Sequence, residues 1–294
     1  MAEITMELIK KLRDWSSAGF MDCKGALQEA DGDLEKAMEI LRKKRTDIAS
    51  AKAHRETKNG MVFSALNGNS GVVVEVNCET DFAARSDVFR GFMKDLSQHL
   101  LEFPESKQAG LAEEPSVVAM VKDTVGRLGE NMTLRRVVRF DLEGSGLLHN
   151  YMHVRDAGGV PSLAVMVEIK ADTAAGASNE LVKEFANNLC LHAAAAAPRW
   201  LEPGDVPEDV VEKEKEIYRS QLAESGKPEA VVEKILPGKV AKFFEDNCLM
   251  NQVYMLAQDK SEQKPMAELL KGVAAQAGEN IRVSRFVRID LGGV

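Results

Sequence analysis

The 294-residue sequence predicts an α+β protein: an N-terminal three-helix module, a linker, and a core of two repeated strand-strand-helix-helix-strand halves with an inserted antiparallel helical hairpin. Three observations carry this. The segment GENMTLRRVVRFDL (129–142) returns as GENIRVSRFVRIDL (278–291), an internal repeat with glycine, glutamate, asparagine, two arginines, aspartate and leucine in matching places. Residues 1–45 place small apolar side chains at helical spacing between short breaks. A long stretch of helical periodicity, 202–246, interrupts only the second copy.

In the module, Leu8, Ile9 and Leu12 share a face of a first helix that Thr5 is placed to cap. Ser16-Ser17-Ala18-Gly19-Phe20 breaks it, and Asp22 opens a second helix with Ala26, Leu27 and Ala30 inward. Asp31-Gly32-Asp33 is a turn whose last residue caps a third helix carrying Leu34, Ala37, Met38 and Leu41. So few large apolar residues make a marginal unit, of the kind that exists to dock onto something. RKKRTDIASAKAHRETKNG (42–60) then turns basic and polar and reads as a linker that can be helical in part. Its RKKR run reads as a solvated helix end that complements the helix dipole, ahead of a nucleic-acid patch.

Each copy of the repeated strand follows a helix ended by glycine, VVAMVKDTVGRL or MAELLKGVAAQA. Upstream, VVVEVNCETD (72–81) matches LAVMVEIKAD (163–172) in pattern, each after a shorter strand at 61–66 or about 148–154. Helices follow at about 87–102 and 178–197. The first buries Val88, Phe89, Phe92, Met93, Leu96 and Leu100; the second buries Leu181, Phe185 and Leu189. In the insertion, Val210, Val211, Ile217, Tyr218 and Leu222 form one stripe, and Val231, Val232, Ile235, Val240 and Phe243 another, around a Ser225-Gly226-Lys227-Pro228 corner. Pro237-Gly238 is expected to interrupt and bend the second arm. The divisions are 1–54 for module and linker, 55–146 and 147–294 for the core subdomains, and about 203–246 for the hairpin.

Composition narrows the chemistry. The formal charge of −8 argues against nucleic acid as the main partner, because phosphate binding wants a basic field. Four scattered cysteines without a CxxC pair read as reduced thiols of a cytoplasmic protein. The start, MAEITMELIKKL, has no signal-peptide pattern, and no apolar run reaches membrane-spanning length. GxxxxGK[ST], GxGxxG after a strand, GxSxG and HExxH are all missing, so neither an enzyme nor a cofactor is expected. His149 and His153 in HNYMH invite a metal, yet no third ligand supports one; a solvent-facing strand residue is the preferred reading.

One corner stands out. VEVNCETDFAAR (74–85) ends an alternating strand by placing Asp81 and Phe82 on a turn. Aligned on the aspartates, the second copy has Asp172 and then Thr173, so the fold alone does not ask for a phenylalanine there. Phe82 is the functional candidate, and Asp81 reads first as a helix cap.

These residues carry a resemblance. LRDWSSAGFMDCKGAL (12–27), EVNCETDFAAR (75–85) and GKPEAVVEKILPGKVAKFFEDNCLMNQVYM (226–255) resemble the bacterial elongation factor Ts family over nearly the whole length. The chain departs from the family's usual pattern at Ser16, Gly25 and Ala83, and in the irregular segment after YMH. The resemblance implies a ubiquitin-associated-like module, a coiled-coil hairpin, and guanine nucleotide exchange on elongation factor Tu. It implies partner contacts at Leu12, Arg13, Phe20 and Met21 in the module and at Thr80, Asp81, Phe82 and Ala83, all toward the GTPase domain. His153 would reach the distal domain. The hairpin is the candidate surface for a homodimer. The competing readings are a hydrolase or transferase with its site between the halves, and an RNA-associated or scaffold protein of the translation apparatus without exchange activity.

Overall fold

The computed structural model describes residues 4–16, 18–155, 158–225, 228–256 and 263–293. It is a mixed α/β structure with two three-stranded antiparallel sheets. The chain opens with α1 (Met6–Ser16), α2 (Phe20–Glu29) and α3 (Leu34–Lys52). Thr5 Oγ1 accepts from the Leu8 amide, and Asp33 accepts from the Glu35 and Lys36 amides, so both expected caps are present. Ile9, Leu12, Cys23, Ala26, Leu27, Ala37 and Leu41 form this unit's small core.

The first sheet contains β1 (Asn59–Asn67), β2 (Ser70–Cys78) and β3 (Met132–Asp141) in that order; the second contains β4 (Gly146–Val154), β5 (Pro161–Ala171) and β6 (Ile281–Asp290). After β2 come the short α4 (Asp81–Arg85), α5 (Asp87–Leu101), a 3₁₀ segment (Glu105–Glu113) and α6 (Pro115–Leu128). After β5 come α7 (Ala174–Ser178) and α8 (Glu180–Ala196). The hairpin arms α9 (Glu208–Glu224) and α10 (Glu229–Asn247) follow, then α11 (Met266–Ala277) before β6. Both α6 and α11 stop at a left-handed glycine, Gly129 and Gly278, a conformation that a Cβ disfavours.

The central strands are buried on both faces, which explains their nearly unbroken apolar runs. Val72, Val74 and Val76 of β2 pack beneath Phe89, Phe92, Met93 and Leu96 of α5. Val73 turns the other way and joins Val62, Ala164, Met166 and Ile289 between the two sheets. On β5, Val165, Val167 and Ile169 face Val182, Phe185 and Leu189 of α8. The sheets therefore lie back to back, with helices covering each outer face. Glu75, which alternates with Val74 and Val76 on β2, points between the sheets and is fully buried. It survives there because Arg136 Nε donates to it at 2.5 Å and the Gly292 amide at 2.9 Å. Its counterpart Glu168 accepts from Arg285 Nη2 at 2.8 Å. Both carboxylates sit at a bulge in register, between Glu75 and Val76 and between Glu168 and Ile169.

Four expectations change. Residues 42–52, read as linker, are the second half of α3, and Arg45 within RKKR is buried rather than solvated. On α8 Phe185 and Leu189 are buried as expected, but the buried residue of the first turn is Val182, while Leu181 is exposed. On the hairpin, Ile217 is exposed, Leu222 is the buried residue of α9, and α10 buries Val232, Leu236 and Phe243. Finally, α10 runs through Pro237 without interruption. Gly226 and Lys227 of the expected corner lie outside the described residues, as does Ser17.

Candidate partner-binding site

The corner after β2 is built from several independent restraints. Thr80 leaves the strand in an extended conformation, and its Oγ1 accepts from the Ala83 amide at 3.2 Å, so Thr80 caps α4. Glu130, from the repeated Gly-Glu-Asn segment, grips the same residue. It accepts from Thr80 Oγ1 at 2.7 Å and from the Thr80 amide at 3.0 Å. Glu79 accepts from the Asn131 amide at 2.6 Å, a bond that, with Arg55, holds its carboxyl below the ordinary range. At the far end Ser86 Oγ donates to the Ala83 carbonyl at 2.7 Å and accepts from the Phe89 amide, capping α5. The Cys78 thiol donates to the Thr80 carbonyl beneath, and burial pushes its pKa up to about 12, so it is an inert packing group.

A helix of five residues fixed at both ends has little freedom to rotate. Ala83 and Ala84 face inward and are buried. Phe82 faces outward with 80% of its surface exposed. That is an unusual place for a large aromatic ring on a rigid element. Asp81 is not the cap; it sits in the first turn, 3.4 Å from Arg85, in a surface pair of small value.

The second sheet repeats this corner without the ring. Thr173 accepts from the Gly176 amide at 2.9 Å and donates to Glu279 at 2.5 Å. Thr173 thus occupies the place of Thr80, which corrects the alignment on aspartates. The structural counterpart of Phe82 is Ala175, that of Asp81 is Ala174, and Asp172 falls opposite Glu79.

The other candidate residues divide by burial. Leu12 is fully buried in the module's core and Ala83 in the corner; both support a surface rather than form it. Arg13 is exposed, Phe20 is 39% exposed and Met21 is 71% exposed at the start of α2. A further exposed residue of the same unit, one that sequence reasoning passed over, is Trp15, which is 55% exposed with Lys11 Nζ lying 5.1 Å from its ring centre. A tryptophan between Asp14 and Ser16 on a helix otherwise apolar at Ile9 and Leu12 was the available signal. His153 is exposed at the end of β4 with its Nδ1 2.9 Å from the Tyr151 hydroxyl, whereas burial lowers the pKa of His149. No group of three potential metal ligands occurs among the described residues.

Of the irregular segment after His153, Asp156 and Ala157 lie outside the described residues. Val160 is buried in the first sheet's helix-side core, and Arg90 Nη2 of α5 donates to the Gly158 carbonyl at 2.7 Å. A cleft of about 850 Å³ between α8 and α11 is lined by Phe185, Tyr254, Met266 and Leu269 with Glu184, Lys264 and Glu268 at its polar side. Among the described residues that line it, no nucleophile–base pair stands in it. Among the described residues no helix is long and apolar enough to cross a membrane.

Comparison with known proteins sets the class first. The family model described as Elongation factor TS matches residues 79–292, from the corner glutamate through the last strand, and makes this a translation elongation factor. The chain is 40% identical to the elongation factor Ts of Trichlorobacter lovleyi, covering 98% of this chain and 93% of that protein. It is 36% identical to that of Aquifex aeolicus over 99% of both, and 37% identical to that of Bdellovibrio bacteriovorus over 98% and 92%. The chain belongs to the elongation factor Ts family.

Proposed function

We propose that this protein is the guanine nucleotide exchange factor of elongation factor Tu, acting as a binding protein without catalytic groups of its own, in the cytoplasm. The observation that carries the reading is Phe82: an aromatic ring held out to solvent by a corner that is fastened at both ends. Such a ring gains most of its burial only in a complex, where a desolvated aromatic anchor contributes a large share of binding energy. Inserted beside the GTPase domain's nucleotide site, it displaces the elements that hold phosphate and magnesium. The exposed Arg13, Phe20 and Met21 supply a second contact on that domain, and His153 a contact on the distal domain.

Linkage then fixes the cycle. Whatever weakens GDP on the partner is itself weakened by GDP to the same factor, so the complex is tight only with the site empty, and incoming GTP releases the factor. The ubiquitin-associated-like character of the N-terminal helices, the duplication of the core and the coiled-coil hairpin as a self-association surface belong to the same reading. The two threonine–glutamate corners and the paired bulges support the duplication. The direct test is the rate of fluorescent GDP release from purified elongation factor Tu with and without this protein. Catalytic amounts should accelerate it many-fold; an unchanged rate in the presence of demonstrable binding overturns the exchange role.

A further inference from the structure

The contact between α3 and α6 is closer than a linker between two units requires. Leu41, Arg45 and Ala49 lie one turn apart on a single stripe of α3. Leu41 belongs to the N-terminal unit's core and Ala49 to the core beneath the first sheet. Arg45 stands between them, buried, while Arg42, Lys43 and Lys44 around it are exposed. Its guanidinium reaches in two directions. Nη1 donates to Asp123 Oδ1 of α6 at 2.6 Å, and Nη2 donates to the Ser16 carbonyl at the end of α1 at 2.5 Å. Three residues along α6, Gly126 lies against the backbone of α3: a Cβ there would overlap the Arg45 side chain and come within 2.8 Å of its Cα. Farther along, Lys52 Nζ donates to the Gly129 carbonyl at the end of α6.

These facts have a common consequence. One side chain joins α1, α3 and α6, and it holds α1 at Ser16, four residues before Phe20. A buried hydrogen-bonded charge adds little net stability, because desolvation offsets the pairing, while removing one partner leaves the other uncompensated. We propose that Arg45, seated against Gly126, is a positioning residue that locks the N-terminal helical unit onto the core. Arg13, Phe20 and Met21 are thereby presented at one set angle to Phe82. Two contact surfaces preset in this way bind a common partner at higher effective concentration than two joined by a flexible tether. The functional arm of the inference rests on the exchange reading above; the structural arm does not.

The test uses the full chain and the substitutions Arg45→Met, Arg45→Lys and Gly126→Ala. Arg45→Met keeps the stem and removes the charge, leaving Asp123 free to hydrate at its half-exposed position. Amide nitrogen relaxation by NMR should show helices α1 and α2 tumbling with the core strands in the parent and faster than them in Arg45→Met, with Arg45→Lys between. Unchanged common tumbling in Arg45→Met overturns the proposal. Gly126→Ala, which parts the helices without removing a hydrogen-bonding group, gives the same reading should Arg45→Met unfold. In the exchange assay the loosened variants should need roughly tenfold more factor for half-maximal stimulation at an unchanged plateau rate, the loss expected when a preset second contact becomes tethered. A lowered plateau at unchanged half-saturation also overturns it. If the parent itself fails to accelerate GDP release, the exchange reading falls while the tumbling comparison still judges the joint.

Discussion

Phe82→Ala separates a partner-directed ring from a core one, and the structure sets both magnitudes. A phenylalanine side chain offers roughly 200 Å² for burial. With 80% of the residue exposed, about a fifth of that, roughly 40 Å², is buried in the isolated protein. At about 25 cal/mol per Å² the substitution forfeits about 1 kcal/mol of burial. Alanine returns about 0.5 kcal/mol through its better helix propensity at a position inside α4. The net cost is therefore about 0.5 kcal/mol, against roughly 3–5 kcal/mol for a core Phe→Ala change. A thermal melt should move by about two degrees or less in a chain of this size. In the exchange complex the lost anchor should cost at least about 2 kcal/mol, or about thirtyfold in stimulated GDP release at subsaturating factor. Asp81→Ala, which removes only an exposed pair with Arg85, should change either quantity far less. If Phe82→Ala melts the protein and spares exchange per folded molecule, the ring is structural and the account of the corner is wrong.

Three further outcomes follow from the packing. Deleting residues 1–54 removes Arg45 and Ala49 along with the first two helices and uncovers Val125 and Met132, so 55–294 should be less stable than 42–294 by about 2 kcal/mol in chemical denaturation; equal stability would make α3 a mere tether. The hairpin is rooted by Val206, Phe243 and Cys248, so replacing residues 212–239 with a short Gly/Ser turn should preserve the fold by circular dichroism and most of the exchange activity; loss of exchange with the fold intact would bring the hairpin tip into the partner contact. Burial lowers His192 below its ordinary value of 6.5, only partly offset by the bond to Gln252, so the unfolded chain takes up a proton near that value that the folded chain refuses. Stability should fall as pH drops from about 7.5 to about 5.5, and His192→Gln should flatten that slope in urea titrations, whereas an unaltered slope would place the titration elsewhere.

Much of the fold was legible because the sequence states it twice. The repeated Gly-Glu-Asn strand, the glycine stops and the apolar runs of β2 and β5 all describe local geometry, which sequence encodes directly. What was not legible depended on what lies opposite a residue. Arg45 within a basic run looks solvated until Gly126 and Asp123 are placed against it. Glu75 looks like the wet face of a strand until a second sheet covers it and Arg136 meets it. Leu12 and Met21 stand together among the contacts that the family resemblance implies, yet Leu12 of α1 is fully buried in the core shared with α2 and α3 while Met21 at the start of α2 is largely exposed.

The corner shows why the difference matters for function. Aligning the halves on their aspartates makes Asp81 a cap and sets Phe82 opposite Thr173. The hydrogen bonds shift that register by one: threonine caps in both halves, each held by the glutamate of its own Gly-Glu-Asn segment. The repeated glutamate thus does structural work in both copies and says nothing about a partner. The first copy differs at the pair that follows the cap, Asp81-Phe82 against Ala174-Ala175, as well as at Ala83 and Arg85 against Gly176 and Ser178. The second corner forms the same capped turn with alanine in the aromatic position, so the scaffold does not need the ring. A ring that the scaffold does not need, held outward on a helix too short and too well capped to turn it inward, is accounted for by the exchange function proposed here, in which the partner buries it.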